Sequence, residues 1–207
     1  MTRDSGLILR AIPYSDSARI LKCFTESQGL ISLFARGSKK KGGKGFLSHG
    51  SFIEFTADLN RSKEIQTLKD VRWDPRIPTD PLMPEQHALW LFTIELLQRS
   101  IKEELPIPQL LHRVRMYYAL LTNSDVLQHP LVPLLLISSE LGLSDLQQVS
   151  RMADDEVVNA LSSLGWKAIQ DEQVDPIPRE QLFHIERDRF QEHFSIDRIE
   201  SLYLFED

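Results

Sequence analysis

The chain is short of the residues that most catalytic and metal chemistry requires. It has one cysteine in 207 residues, Cys23. A disulfide within the chain and a cysteine-based zinc site are both excluded. Cys23 stands beside Phe24 in an apolar stretch and reads as a small core residue. Long apolar runs are missing too. The longest, Leu131 to Ile137, contains Pro133 and is far too short to span a bilayer. The opening Met-Thr-Arg-Asp-Ser lacks the apolar centre of a secretory signal. These absences lead us to expect a soluble, cytoplasmic protein, with no membrane partner.

The six histidines, His49, His87, His112, His129, His184 and His193, are scattered, and none shows the helical spacing of a metalloprotease pair. Gly43-Lys44 is followed by Gly45 and preceded by Ser38 where a phosphate-cradling NTP loop needs glycine, so that motif fails. No nucleophile elbow is present. The expectation is a protein that is not an enzyme and uses neither metal nor cofactor.

Charge is what the chain does have, unevenly spread. Residues 1–76 carry 14 Lys+Arg against 8 Asp+Glu, and residues 77–207 carry 10 against 22. A net +6 front and a −12 back imply different partners for each. The positive charge peaks between Gly37 and Gly45, with four glycines and four lysines. Clustered ammonium groups repel one another and glycine maximises backbone freedom, so a cationic loop is expected there. It suits a polyanion, of which nucleic acid is the commonest. The candidate phosphate contacts are Arg36, Lys39, Lys40, Lys41 and Lys44, joined by Arg10, Arg19, Lys22 and Lys63 from the same region. Tyr14, Phe34 or Phe46 offers a stacking face for an unpaired base. The alternative is a solvated lysine run, with Phe34 and Phe46 as core residues.

Residues 1–76 read as five short strands. Ser5 to Tyr14 alternates and Pro13 closes it. Ala18 to Thr25 follows the Ser15-Asp16-Ser17 turn, and Gly29 to Ala35 places Leu33 and Ala35 opposite Phe34. Ser51 to Leu59 and Glu64 to Trp73 complete the set. Five strands in so short a span suggest an OB-fold barrel. Four prolines between Asp74 and Pro84 mark a boundary, with 77–84 as linker. Residues 85–207 read as an all-α domain: helices over Pro84 to about Lys102, from Pro108, over Leu131 to Leu141, over Ser144 to Met152, over Asp154 to Leu164, and one or two over Arg179 to Phe205. The expected class is α+β. In the helical part, Arg113, Arg115, Tyr117 and Tyr118 read either as a cationic rim on an apolar groove for an acidic peptide, or as core with solvated arginines.

The order of motifs carries a resemblance. Leu7-Ile8-Leu9-Arg10, then Pro13-Tyr14-Ser15-Asp16-Ser17, then Phe24-Thr25-Glu26-Ser27-Gln28-Gly29, then Ala35-Arg36-Gly37 and the basic run, together resemble the RecO family of bacterial recombination mediators. Asp16 stands where Glu is usual and Arg36 where Lys is usual, and both keep charge. The match covers about residues 5–60 and is looser beyond. The resemblance implies an N-terminal OB-fold and a helical C-terminal domain. It implies binding to single- and double-stranded DNA, annealing of complementary strands, and capture of the acidic tail of single-stranded DNA-binding protein (SSB). With RecR, such a protein helps load RecA on SSB-coated strands, and it hydrolyses no nucleotide. It would act in the cytoplasm at the nucleoid. Many relatives carry a four-cysteine zinc module, which a chain with only Cys23 lacks. An acidic tail needs a local positive pocket, and Arg113 and Arg115 with Tyr117 and Tyr118 are the candidates. Two readings from other classes stand beside this one: an RNA-binding OB-fold protein, and an interaction module whose basic loop contacts an acidic partner.

Overall fold

The computed structural model describes residues 1–36, 47–60, 62–102, 105–122, 128–167 and 176–205. Five strands come first: β1 (Thr2–Ser15), β2 (Ala18–Thr25), β3 (Gly29–Arg36), β4 (Phe52–Asp58) and β5 (Ile65–Trp73). They close into a barrel in the order β1-β2-β3-β5-β4. Only β3 and β5 run parallel, through Ser32 to Phe34 against Ile65 to Thr67. The N-terminal domain is therefore an OB-type barrel, and the chain as a whole is α+β.

Closure depends on β1 serving two neighbours. Thr2 to Leu7 pairs with Ala57 to Phe52 on β4, while Gly6 to Ser15 pairs with β2. The strand therefore starts at Thr2, three residues before its alternation becomes visible at Ser5. It also runs through Pro13 rather than ending there. The register shifts between Pro13 and Ser15, and a proline is tolerated where the ladder is already irregular. At Gly6 the strands come close. A methyl group there would lie 2.6 Å from the Phe24 carbonyl oxygen and 2.7 Å from Cys23 Sγ.

The barrel interior holds Ile8, Leu21, Cys23, Leu33, Ala35, Leu47, Ile53, Phe55 and Ala57. Cys23 is fully buried, as its apolar neighbours suggest. The strands supply these residues at a spacing of two. Of the alternate positions, Leu7, Leu9 and Phe24 are buried too, while Arg10 and Ile12 are exposed and Phe34 is half-buried.

Helices follow: α1 (Pro84–Ser100), α2 (Pro108–Leu121), α3 (Leu131–Glu140), α4 (Leu146–Met152), α5 (Asp155–Ser163) and α6 (Arg179–Phe194), then a 3-10 turn over Glu200–Phe205. Residues cluster into two compact units, Met1–Pro78 with Ile101–Leu111, and Thr79–Ser100 with His112–Asp207. In the second unit α3 is buried from Leu131 through Ser138. Pro133 lies in its first turn, where the missing N–H has no intrahelical partner to lose. Asp145 and Asp154 cap α4 and α5 by accepting from the backbone N–H groups of Gln147 and Val157. Gly142 and Gly165 end α3 and α5 with positive φ. Among the described residues no helix is long and apolar enough to cross a membrane.

Candidate nucleic-acid interface

The register of the barrel decides which cations share a surface. Arg10 on β1 lies opposite Lys22 on β2, and Lys22 lies opposite Ser32 on β3. One step along, Ile12, Ile20 and Phe34 form the next row. Both rows alternate with the interior residues Leu21 and Leu33, so both face outward. Arg10 is exposed and Lys22 half-buried.

Phe34 is thus not a core residue. It is half-buried on the outside, perpendicular to Tyr14 with ring centroids 5.4 Å apart. Arg36, two residues on, places its guanidinium carbon 5.8 Å from the centre of the Phe34 ring. Tyr14 is 67% exposed and Ile12 36% exposed. The result is a small apolar and aromatic patch with cationic groups around it, on the strands where OB-folds bind oligonucleotides.

Arg19 has a different position. It pairs with Ala35 and follows the inward alternation of Leu21 and Cys23. At the end of the barrel its guanidinium reaches out and donates to the Leu47 carbonyl at 3.2 Å. Lys63 sits in the β4–β5 turn, exposed, with its backbone N–H donating to Asn60. Lys39, Lys40, Lys41 and Lys44, with Phe46, lie outside the described residues.

The opposite side of the barrel is electrically different. Arg3 and Arg72 both donate to Glu54 Oε2, at 2.9 and 2.6 Å, and Lys69 pairs with Asp58 at 2.9 Å. The hydrogen bonds from Arg72 and then Arg3 hold the Glu54 carboxyl below its usual range. These cations on β1 and β5 are matched by carboxylates on β4. Among the described residues Arg10 and Arg36 make no ion pair, so the positive field is concentrated on the β1–β2–β3 face.

The four residues expected at an acidic-peptide groove do not form an exposed rim. Tyr117 is fully buried, and burial pushes its hydroxyl well above the ordinary range. Tyr118 packs edge-on against Trp90 at 4.8 Å, and Arg115 is buried. Arg113 is engaged by the Glu140 carboxylate, by the Leu164 carbonyl and by the Trp166 ring 4.3 Å away. Spacing of three and four places these residues along one helix stripe, and that stripe faces inward. Among the described residues no group of three or more His, Cys, Asp or Glu side chains is placed to hold a metal ion.

Residues 1–74 match the family model described as Recombination protein O N terminal. Curated relatives match over similar lengths. DNA repair protein RecO of Exiguobacterium sp. is 27% identical over 99 residues, 48% of this chain and 40% of its own. That of Bacteroides fragilis is 30% identical over 102 residues, 48% and 42% of the two chains. That of Haemophilus influenzae is 32% identical over 126 residues, 58% and 51%. The matched stretch spans about half or less of each relative.

Proposed function

For a chain whose N-terminal barrel is a RecO-family domain, we propose a role in DNA repair and recombination, exercised by binding DNA strands on the outer β1–β2–β3 face. The observation that carries this reading is the register that sets Arg10 opposite Lys22 beside Tyr14, Phe34 and Arg36. The basic run of residues 39–44 follows directly from that face in sequence. Guanidinium and ammonium groups bind phosphates without regard to sequence. A surface of this kind brings two polyanions together, and base pairing then selects the partner strand. The proposed activity is therefore annealing of complementary strands, binding both single and double strands, with no bond chemistry.

That the relatives are named DNA repair protein RecO supports placing this activity in repair. The proposal extends to the partners that the family resemblance implies: SSB through its acidic tail, RecR, and RecA indirectly. Tyr117 and Arg115 are buried, so the proposed tail contact is left without assigned residues. The test is the rate at which two complementary labelled oligonucleotides pair, with and without the protein. Faster pairing that high salt abolishes supports the proposal. Pairing at the unaided rate, or acceleration confined to RNA strands, contradicts it.

A further inference from the structure

The β1–β2 turn and the Tyr14–Phe34 pair adjoin one another, and Arg36 belongs to both. Ser15, Asp16, Ser17, Ala18, Arg19, Ala35, Arg36 and Leu47 line a small depression, about 60 Å³, at this end of the barrel. Two arginines and two serines line it, against the single carboxylate-bearing Asp16, and one nitrogen of the Arg19 guanidinium donates to the Leu47 carbonyl. Arg36 links it to the aromatic pair: its guanidinium carbon lies 5.8 Å from the centre of the Phe34 ring, which meets the two-thirds-exposed Tyr14 ring at right angles.

We propose that these residues form a subsite for one unpaired nucleotide. The base stacks on the open side of Tyr14, and the attached phosphate sits in the depression between Arg19 and Arg36. The inference rests on the nucleic-acid reading above and sharpens it: this part of the face recognises the base as well as the charge. Three observations support the assignment. The Tyr14 ring is accessible, which stacking requires. It packs edge-to-face on Phe34, which reduces the rotamer freedom that binding would cost. The Arg36 guanidinium, already beside an aromatic ring, is placed to contact both a base face and a phosphate oxygen.

The subsite distinguishes single from paired strands. A base inside a duplex has both faces covered by its neighbours and cannot stack on Tyr14. The duplex keeps its phosphate contacts and loses the stack. Annealing therefore weakens the protein's hold on its own product.

The experiment compares a single-stranded oligonucleotide with a blunt-ended duplex by fluorescence anisotropy across a salt series, with affinities compared at equal salt. The proteins are the unaltered chain, Tyr14→Ala and Tyr14→Phe. One lost base stack corresponds to roughly 5- to 140-fold in affinity. The expected result is a single-strand loss in that range for Tyr14→Ala, duplex affinity unchanged, and affinity restored by Tyr14→Phe. The salt slope of Tyr14→Ala stays the same, because no charge is removed. Unchanged single-strand affinity in Tyr14→Ala, or equal losses on both ligands, overturns the subsite and leaves the nucleic-acid reading standing. An unaltered chain that binds neither ligand overturns both.

Discussion

Gly29 and Leu105 touch through their backbones. A methyl group on Gly29 would lie 2.6 Å from the carbonyl carbon of Leu105 and 2.7 Å from its nitrogen. Gly29 also has φ of +72°, in the left-handed region where a side chain is strained. The glycine that turns the chain from β2 into β3 thus has a second duty. It lets the segment Ile101–Leu111 lie against the barrel, in the same compact unit. Gly29→Ala is expected to destabilise the protein by more than the roughly 1–2 kcal/mol of the left-handed conformation alone. A urea denaturation midpoint checks this, and a shift smaller than that would mean the segment moves aside freely.

Glu95 holds the C-terminal 3-10 turn. Its carboxylate accepts from the backbone N–H groups of Glu200 at 2.9 Å and Ser201 at 2.7 Å, and from the Ser201 hydroxyl at 2.6 Å. Burial pushes the carboxyl up, but the Ser201 and Glu200 donors, with Arg99, outweigh it and the balance is lowered. A depressed folded value means the contribution is fully present above the unfolded value of about 4.3 and is lost as pH falls through the folded one. Glu95→Ala should cost about 1–3 kcal/mol. It should also speed amide exchange at Glu200 and Ser201 and flatten the acid limb of the stability curve. Unaltered exchange at both amides would contradict the assignment.

Asp154 separates capping from charge. It accepts from the Val157 N–H at 3.0 Å and from Arg179 Nε at 2.9 Å. Asp154→Asn keeps the cap and removes the ion pair, while Asp154→Ala removes both. The alanine variant should lose about 0.5–2 kcal/mol and the asparagine variant much less, because the pair is partly exposed. Thermal unfolding of the two variants side by side decides it, and equal losses would assign the effect to charge.

The strand and helix order was legible from alternation, prolines and glycines. β2 follows the Ser15-Asp16-Ser17 turn and ends before Gly29, and α2 and α6 open just after Ile107 and Pro178. What was hidden depends on pairing between distant segments. Thr2 to Asp4 joins the barrel because β4 pairs with it. Phe34 shared its sequence face with Ser32, opposite Leu33 and Ala35. That parity was the available signal for its outward position, and its bulk argued the other way. Tyr117 and Arg115 fit either a groove or the core in sequence, because periodicity fixes a face without saying what covers it. Glu95 and Ser201 are 106 positions apart, a separation that no local pattern reports.

The register predicts which cations act together. Arg10→Glu with Lys22→Glu should weaken binding to a single-stranded oligonucleotide. It should also reduce the log–log salt slope by about 0.7 for each lost phosphate contact. Arg72→Glu, on the carboxylate-matched side, should leave the slope unchanged. A larger effect from Arg72 than from Arg10 and Lys22 would move the interface to the other side of the barrel.

The most direct test of the central claim is a titration of a labelled single-stranded oligonucleotide across a salt series, followed by anisotropy. Three to five phosphate contacts predict a log–log slope of roughly −2 to −4. Replacing Lys39, Lys40 and Lys41 by Glu should make it shallower. No binding at low salt, or binding that salt does not weaken, would contradict a cationic nucleic-acid face on this barrel.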